Sequence, residues 1–534
     1  MDPPAMGPAP TMFGMEVGLK GGVLSVSAEQ NPTLAGSAID VPPLALSTNV
    51  SLTLSSCDGL ARNGEVALGP CVEFGPEGTR FAFSGANVTV PYDPSLQPAD
   101  SDLVLAVQGA GARADRFAPD VTWDSAGHRA TTSTDRLKIA VQALARPKPT
   151  PTKNIDVLFV IDNSSGTAPK QRQFFTNMGA FLAPLEAAGI SYHIAFTTTD
   201  VGTWTAPQTP FPGTTDPRCG TFAGDDGVLQ KQPCPARSLF GEGQTVCNAL
   251  CPDVSYVPSG GGRYISYESG TTNVPVLMAG GRDIGPQRAA QCIGYVGDGG
   301  CGVESPMEAA RRALDGHRTE NSGFLRTDSL LAVLFLTDED DCSVQLARRS
   351  ENTPQSMACT SGGDLALGCY NLDFRCFAGA VTCKEPLSAT GNKTGCQEKA
   401  NNYLEPVSTY AAFLDKLRPA GRLYLHGIWS PSILDNPTGD MSKDGKVVVA
   451  SGAPPAIESN ILNRGSGTQG ACFNPDPTLT TDPRGYFGQP QLRLSTLVRG
   501  FSKGSYGETN LCAVTTFSAE LDSVAKKLIA MVKG

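Results

Sequence analysis

Two short apolar runs, each ending on an aspartate, constrain this chain more than any other feature. The first is Asn154-Ile-Asp-Val-Leu-Phe-Val-Ile-Asp162-Asn-Ser164-Ser165-Gly166-Thr167, and the second is Leu330-Leu-Ala-Val-Leu-Phe-Leu336-Thr-Asp338-Glu-Asp-Asp-Cys342. Both are almost free of polar breaks, the pattern of a central strand buried on both faces. The carboxylates, with the hydroxyls that follow the first of them, then lie beyond the strands' carboxyl ends, where open α/β sheets bind ligands. Hard oxygen ligands gathered on one edge suit a divalent cation such as Mg2+. A serine-rich turn capping a helix would account for the first run alone. A second strand delivering an aspartate to the same edge favours the shared site.

The Asp162-Asn-Ser164-Ser165-Gly166 segment resembles the start of the metal-ion-dependent adhesion site of von Willebrand factor type A domains, the fold of integrin I domains. That family reads Asp-x-Ser-x-Ser after its first strand. Asp162 and Ser164 match two positions; the third falls on Gly166, between Ser165 and Thr167. The resemblance implies a first aspartate and serine hydroxyls holding the metal, a threonine from the loop before a middle helix, and an aspartate after the fourth strand. Asp338 takes that last role, and Ser305 stands where the family has threonine, with Glu304 as a second candidate. The ligand set so implied is Asp162, Ser164, Ser165, Thr167, Ser305 and Asp338, with Mg2+ as the metal and Mn2+ or Ca2+ as alternatives. A Gly166→Ser change would restore the missing hydroxyl and is expected to raise metal affinity. The Asp338-Glu-Asp-Asp-Cys-Ser343 run and the Gly-Cys-Gly-Val-Glu304 loop resemble a cysteine-rich branch of the family, found among surface lipoproteins of Gram-negative bacteria. Asp340 and Asp341 read as a solvated acidic loop, with a second cation site as the alternative.

The 534 residues are enough for two to four domains. The charge balance is 42 − 52 = −10 with no long basic run, which argues against a nucleic-acid partner. No apolar run approaches the ~20 residues that span a bilayer. Sixteen cysteines form an even set without a CxxC pair, and the four histidines are scattered, so disulfides in an oxidising compartment are expected rather than zinc. Eight bridges are expected, none joining two domains, with Cys57–Cys71, Cys292–Cys301 and Cys472–Cys512 as the local pairs. His193 reads as a packed core residue.

Residues 1–16 read as a disordered tether. Short alternating runs across residues 17–146, without a convincing helix, predict a β-sandwich. Phe74-Gly-Pro-Glu-Gly-Thr-Arg-Phe81 and Asn87-Val-Thr-Val-Pro-Tyr-Asp-Pro94 resemble the bacterial ZU5-like domain. Some ZU5 domains cleave themselves; Asp135-Arg136-Leu137 at the matching place has neither nucleophile nor base, so an uncut spacer or docking module is expected. Alternate prolines at residues 147–154 predict an extended linker. Residues 155–534 are expected to form an α/β, Rossmann-like type A domain, with cysteine-rich insertions at about 200–290 and 342–400. Phe174, Met178, Phe181 and Leu185 mark one helix face, which Pro184 should end or kink.

No Gly-x-Ser-x-Gly, His-Glu-x-x-His or P-loop motif is present, and the chain is not expected to be an enzyme. The expected function is a cell-surface adhesin or protein-binding module. It would capture a protein ligand or surface polymer through an acidic group on the metal. The alternative is a structural envelope protein with a degenerate, metal-free site. The expected location is extracellular or outer-membrane-anchored, with membrane contact only through a lipid anchor.

Overall fold

In the computed structural model the chain is mixed α/β, with several sheets and several disulfides. The structure describes residues 12–62, 64–81, 85–109, 117–118, 121–134, 136–147, 152–164, 166–201, 224–237, 239, 241–251, 257–260, 262–276, 278–279, 282–283, 285–300, 304–316, 318–343, 345, 380–386, 391–399, 404–419, 421–435, 447–449, 457–458, 472–474, 486–502, 504–513 and 516–533. It divides into two compact units. One holds Met1–Pro149 with Arg418–Gly421 and Arg499–Ser505, and the other holds Thr150–Leu417, Arg422–Val498 and Tyr506–Gly534.

The first unit contains two sheets with antiparallel pairing throughout. One runs β1 (Met12–Val17), β4 (Val50–Ser56), β6 (Val72–Gly75), β11 (Ile139–Pro147) and β5 (Val66–Ala67), with β8 (Ser101–Gly109) also on β11. The other runs β2 (Gly22–Ser25), β3 (Ala38–Val41), β7 (Ala86–Pro91), β10 (Arg129–Thr134) and β9 (Val121–Asp124). Inward residues of both sheets, among them Leu52, Phe74, Val141, Ile39, Val88 and Val90, share one apolar core. Residues 12–16, expected in the tether, instead belong to β1, which takes its backbone partners from β4, and residues 1–11 lie outside those described. The expected linker also loses an end: Pro147 closes β11 and Asn154 opens the next strand, while residues 148–151 lie outside those described.

The second unit is built on a seven-stranded sheet. Its strands are β12 (Asn154–Ile161), β13 (Ser191–Thr198), β14 (Ile265–Glu268), β15 (Thr271–Thr272), β16 (Leu330–Leu336), β17 (Leu423–Trp429) and β18 (Tyr506–Asn510). The order across the sheet is β15-β14-β13-β12-β16-β17-β18. Pairing is parallel from β13 through β18, and β14 and β15 form an antiparallel edge. Ile155, Val157, Phe159 and Ile161 enter the main core with α1 (Ala168–Thr176), α2 (Met178–Ala187) and α8 (Ser518–Lys533). The alternate residues Leu158 and Val160 are fully buried as well, so both faces are covered, as the unbroken apolar run requires. Phe159 sits at the centre, with the rings of Phe174, Phe181 and Phe196 at 5.3–5.8 Å.

The expected single helix over Phe174–Leu185 is two, broken at Asn177 rather than Pro184. The Asn177 amide takes the Phe174 carbonyl and its side chain donates to the Gln173 carbonyl, which closes α1 there. All four face residues are buried nonetheless. His193 packs as expected: it is buried, its ring lies 4.3 Å from Tyr264, and its Nδ1 donates to the Phe324 carbonyl.

Cys57–Cys71 forms as expected, joined by Cys234–Cys247, Cys251–Cys292 and Cys383–Cys396. The expected Cys292–Cys301 pair is corrected. Cys292 lies in α4 (Gly285–Gly294), which packs on α3 (Gly241–Leu250), and Cys251 follows α3 directly. Cys301 lies outside the described residues. Cys512 is also bridged, and the expected Cys472–Cys512 pair rests on a Cys472 side chain outside them.

Candidate functional site

The chain leaves β12 for β13 on one side, and later enters β16 on the other side of β12. The carboxyl ends of β12 and β16 therefore form a topological switch point, the crevice where open α/β sheets bind. Asp162 and Asp338 lie there, one residue past β12 and two past β16. Asp162 is 1% exposed and continues the ladder, its N–H donating to the Leu336 carbonyl.

The Asp162 carboxylate is held from several sides. Oδ1 accepts the Ser164 N–H at 2.8 Å, and Oδ2 accepts the Thr337 hydroxyl at 2.8 Å. The Ser164 side chain and the Asp338 carboxyl are also within hydrogen-bonding reach of it. Burial pushes the Asp162 carboxyl above its ordinary value, against the pull of these bonds. Two carboxyls within hydrogen-bonding reach favour sharing a proton or a cation over facing each other as two bare charges. Asp162, Ser164 and Asp338 are thus brought together.

The remaining expected ligands have other partners. The Thr167 hydroxyl lies 3.1 Å from the Asp162 carbonyl and 2.9 Å from the Ser164 carbonyl, and it accepts from Gln171 Nε2 at 3.0 Å. It staples the loop at the start of α1. Ser305 precedes α5 (Pro306–Leu314); its N–H donates to the Thr199 carbonyl and its hydroxyl to the Cys342 carbonyl. Glu304 is buried and its carbonyl accepts the Cys342 N–H. Ser165 lies outside the described residues. Among the described residues no group of three or more His, Cys, Asp or Glu is poised for a metal.

Gly166 stands where the resemblance expects a third hydroxyl, and its backbone favours glycine. Its φ is +103°, a region L side chains rarely adopt, although nothing lies within 4 Å of a Cβ built there. This φ argues against the expectation that Gly166→Ser raises metal affinity. The change is expected to cost about 1 kcal/mol of stability and to weaken cation binding by turning the loop. Urea unfolding and a Mg2+ titration of the variant check this; an unchanged midpoint with tighter binding would contradict it.

The acidic run beyond Asp338 is not a solvated loop. Asp340 accepts the N–H groups of Leu492, Arg493 and Leu494, and so caps α7 (Arg493–Arg499). Burial nonetheless pushes its carboxyl up. Asp341 is 1% exposed and accepts the Met307 N–H at the start of α5, the Ser343 hydroxyl, and the Arg493 guanidinium. Each carboxylate is occupied by a helix terminus, which leaves a second cation little to bind.

Three site residues escaped the sequence. Thr337 sits directly before Asp338, a position readable only once β12 and β16 are in register. Thr199 is its counterpart after β13. Gln171 ties the loops together: its amide nitrogen donates to the carbonyls of Asp162 and Gly297, and its oxygen accepts the N–H groups of Val296 and Gly297. Nothing in the sequence marked it beyond its place one turn after Thr167. Comparison of the sequence with protein families and with curated proteins finds no match.

Proposed function

We propose that residues 155–534 are a von Willebrand factor type A-like, Rossmann-like domain. Its β12/β16 edge binds one Mg2+-like cation and, through it, a carboxylate of a protein ligand or surface polymer. Residues 17–146 are, in this reading, a ZU5-like β-sandwich that serves as an uncut spacer. The protein acts as an adhesin or binding module outside the cell or on its surface, and it performs no catalysis. The observation that carries the reading is the approach of two carboxylates from different strands, with a serine hydroxyl, at the switch point of a parallel sheet. Asp162, Ser164 and Asp338 would hold the ion. Thr337 orients Asp162, and Gln171 and Thr167 fix the loop that carries Ser164. When bound, a divalent cation offers an open coordination position to an incoming carboxylate. The bridged cysteines support an oxidising location. Among the described residues no helix is long and apolar enough to cross a membrane, and a lipid anchor would supply any attachment.

The second reading, a structural envelope protein with a metal-free site, is favoured by one feature: Gly166 withholds the third hydroxyl and Thr167 spends its own on the loop. Calorimetric titration of the full chain with Mg2+ and Mn2+ separates the two. Heat is expected for the native chain and none for Asp162→Ala or Asp338→Ala, with circular dichroism unchanged. A native chain that gives no heat with either ion would leave only the scaffold.

A further inference from the structure

We infer that Thr199 is a further cation-binding residue of this edge, its hydroxyl standing beside Asp162 on the side opposite Thr337. The inference rests on the proposal that the edge binds a cation. The parallel register pairs Ile161 with Thr198 on one side and with Leu336 on the other. One residue further along, Asp162 is flanked by Thr199 and Thr337. The backbone ladder continues through this step, because Thr199 N–H donates to the Ile161 carbonyl and Asp162 N–H to the Leu336 carbonyl. Side chains alternate between the faces of a sheet. Ile161 and Leu336 enter the core on the α1–α2 side, so Asp162, Thr199 and Thr337 share the opposite face.

The two threonines differ in how their hydroxyls are used. Thr337 Oγ1 is bonded to Asp162 Oδ2. Thr199 is 0% exposed, and its Oγ1 has no hydrogen-bond partner among the described residues. A buried hydroxyl left without a partner costs about 1–3 kcal/mol. A valine would fit the same space without that cost. Asn163 Oδ1 is likewise unpartnered, but it faces Gly300, where an added Cβ would come within 2.3 Å of it. Thr199 is therefore the unpartnered oxygen in register with the paired carboxylates. With Asp162, Ser164 and Asp338 it makes an all-oxygen set of the kind Mg2+ takes, leaving positions for water and for a ligand carboxylate.

The test uses the full chain with Mg2+ or Mn2+ alone as the probe, in calorimetry and, for Mn2+, electron paramagnetic resonance. Thr199→Val is expected to weaken Mg2+ binding about tenfold or more, the range in which supporting contacts at metal sites act. It should also leave the metal-free protein as stable as the native one or more so. Thr199→Ser, which keeps the oxygen, is expected to bind within about threefold of native and to keep the native Mn2+ spectrum. Native affinity in Thr199→Val overturns the inference and leaves the cation site standing; the hydroxyl then holds only a buried water. Equal weakening in Thr199→Ser overturns it too, because the methyl group rather than the oxygen would matter. If Asp162→Ala binds as the native chain does, the site proposal itself falls, and the Thr199 assignment falls with it.

Discussion

Replacing Arg493 by alanine is expected to cost the second unit about 3–5 kcal/mol of unfolding free energy, the range for removing one partner of a buried ion pair. Arg493 is 1% exposed. Its guanidinium reaches Asp341 at 3.2 Å, Glu398 at 2.5 Å and the Glu405 carbonyl at 2.7 Å. Burial works against its charge, but the carboxylates of Asp341 and Glu398 outweigh that and hold the group above its ordinary value. In Arg493→Ala, Asp341 keeps its bonds to the Met307 N–H and the Ser343 hydroxyl, yet it stays buried without its counter-charge. The loss comes mainly from that stranded carboxylate, which predicts a non-additive partner: Asp341→Asn placed on Arg493→Ala should recover part of it. Arg493→Lys should recover only a fraction, because one ammonium cannot span two carboxylates and a carbonyl. Urea unfolding followed by circular dichroism reads all four proteins. A loss under about 1 kcal/mol in Arg493→Ala would mean that water already screens this cluster.

The same residues show what the sequence made legible. Val157–Ile161 and Leu330–Leu336 were readable as central strands because burial on both faces leaves no room for polar residues, a constraint written into every position. Pro306 at the start of α5 and the helical spacing of the buried Leu521, Val524, Leu528 and Val532 on α8 have similarly local causes. The strands Ala38–Val41, Val121–Asp124 and Arg129–Thr134 were not, since they are short and one face of each is polar. The cysteine partner of Cys292 was misjudged because sequence spacing does not fix connectivity; helix packing does. The acidic run misled for a deeper reason. Asp338, Asp340 and Asp341 look alike in sequence, yet their partners come from Asp162, from residues 492–494 and from residues 307 and 493. Which carboxylate caps a helix and which faces the site is decided by segments up to 176 residues away, since Asp162 and Asp338 are 338 − 162 positions apart. The pair Asp162 and Asp338 was legible because both sit at strand ends. Thr199 was not, because only register sets it beside them.

Acid is expected to weaken the second unit through His426, by roughly 2.5 kcal/mol between pH 7.5 and 4.5. His426 lies in β17, 5% exposed, and burial pushes it down to about 4 from its ordinary 6.5. Its ring nitrogens meet the hydroxyls of Tyr424 at 3.1 Å and Thr509 at 3.0 Å; neither offers a counter-charge to an imidazolium. The sign follows from proton uptake. Above pH ~6.5 the ring is neutral in both the folded and unfolded chain, and the contribution is complete. Between about 6.5 and about 4 the unfolded chain binds a proton that the folded one refuses, so stability falls as pH falls. Below about 4 both states carry the proton and the loss levels off. Asp162 moves the other way, since its raised carboxyl favours the folded state as acid neutralises it. The total pH dependence therefore mixes the two, and the difference between native and His426→Gln isolates the histidine, because glutamine keeps a polar partner for the hydroxyls and does not titrate. Unfolding is read by circular dichroism and by tryptophan fluorescence, to which Trp429, buried in the same strand, contributes alongside the chain's two other tryptophans. The native chain should lose roughly 2.5 kcal/mol more than His426→Gln over that window. Parallel losses in the two proteins would mean that His426 is protonated in the folded state, with water or a carboxylate reaching the ring.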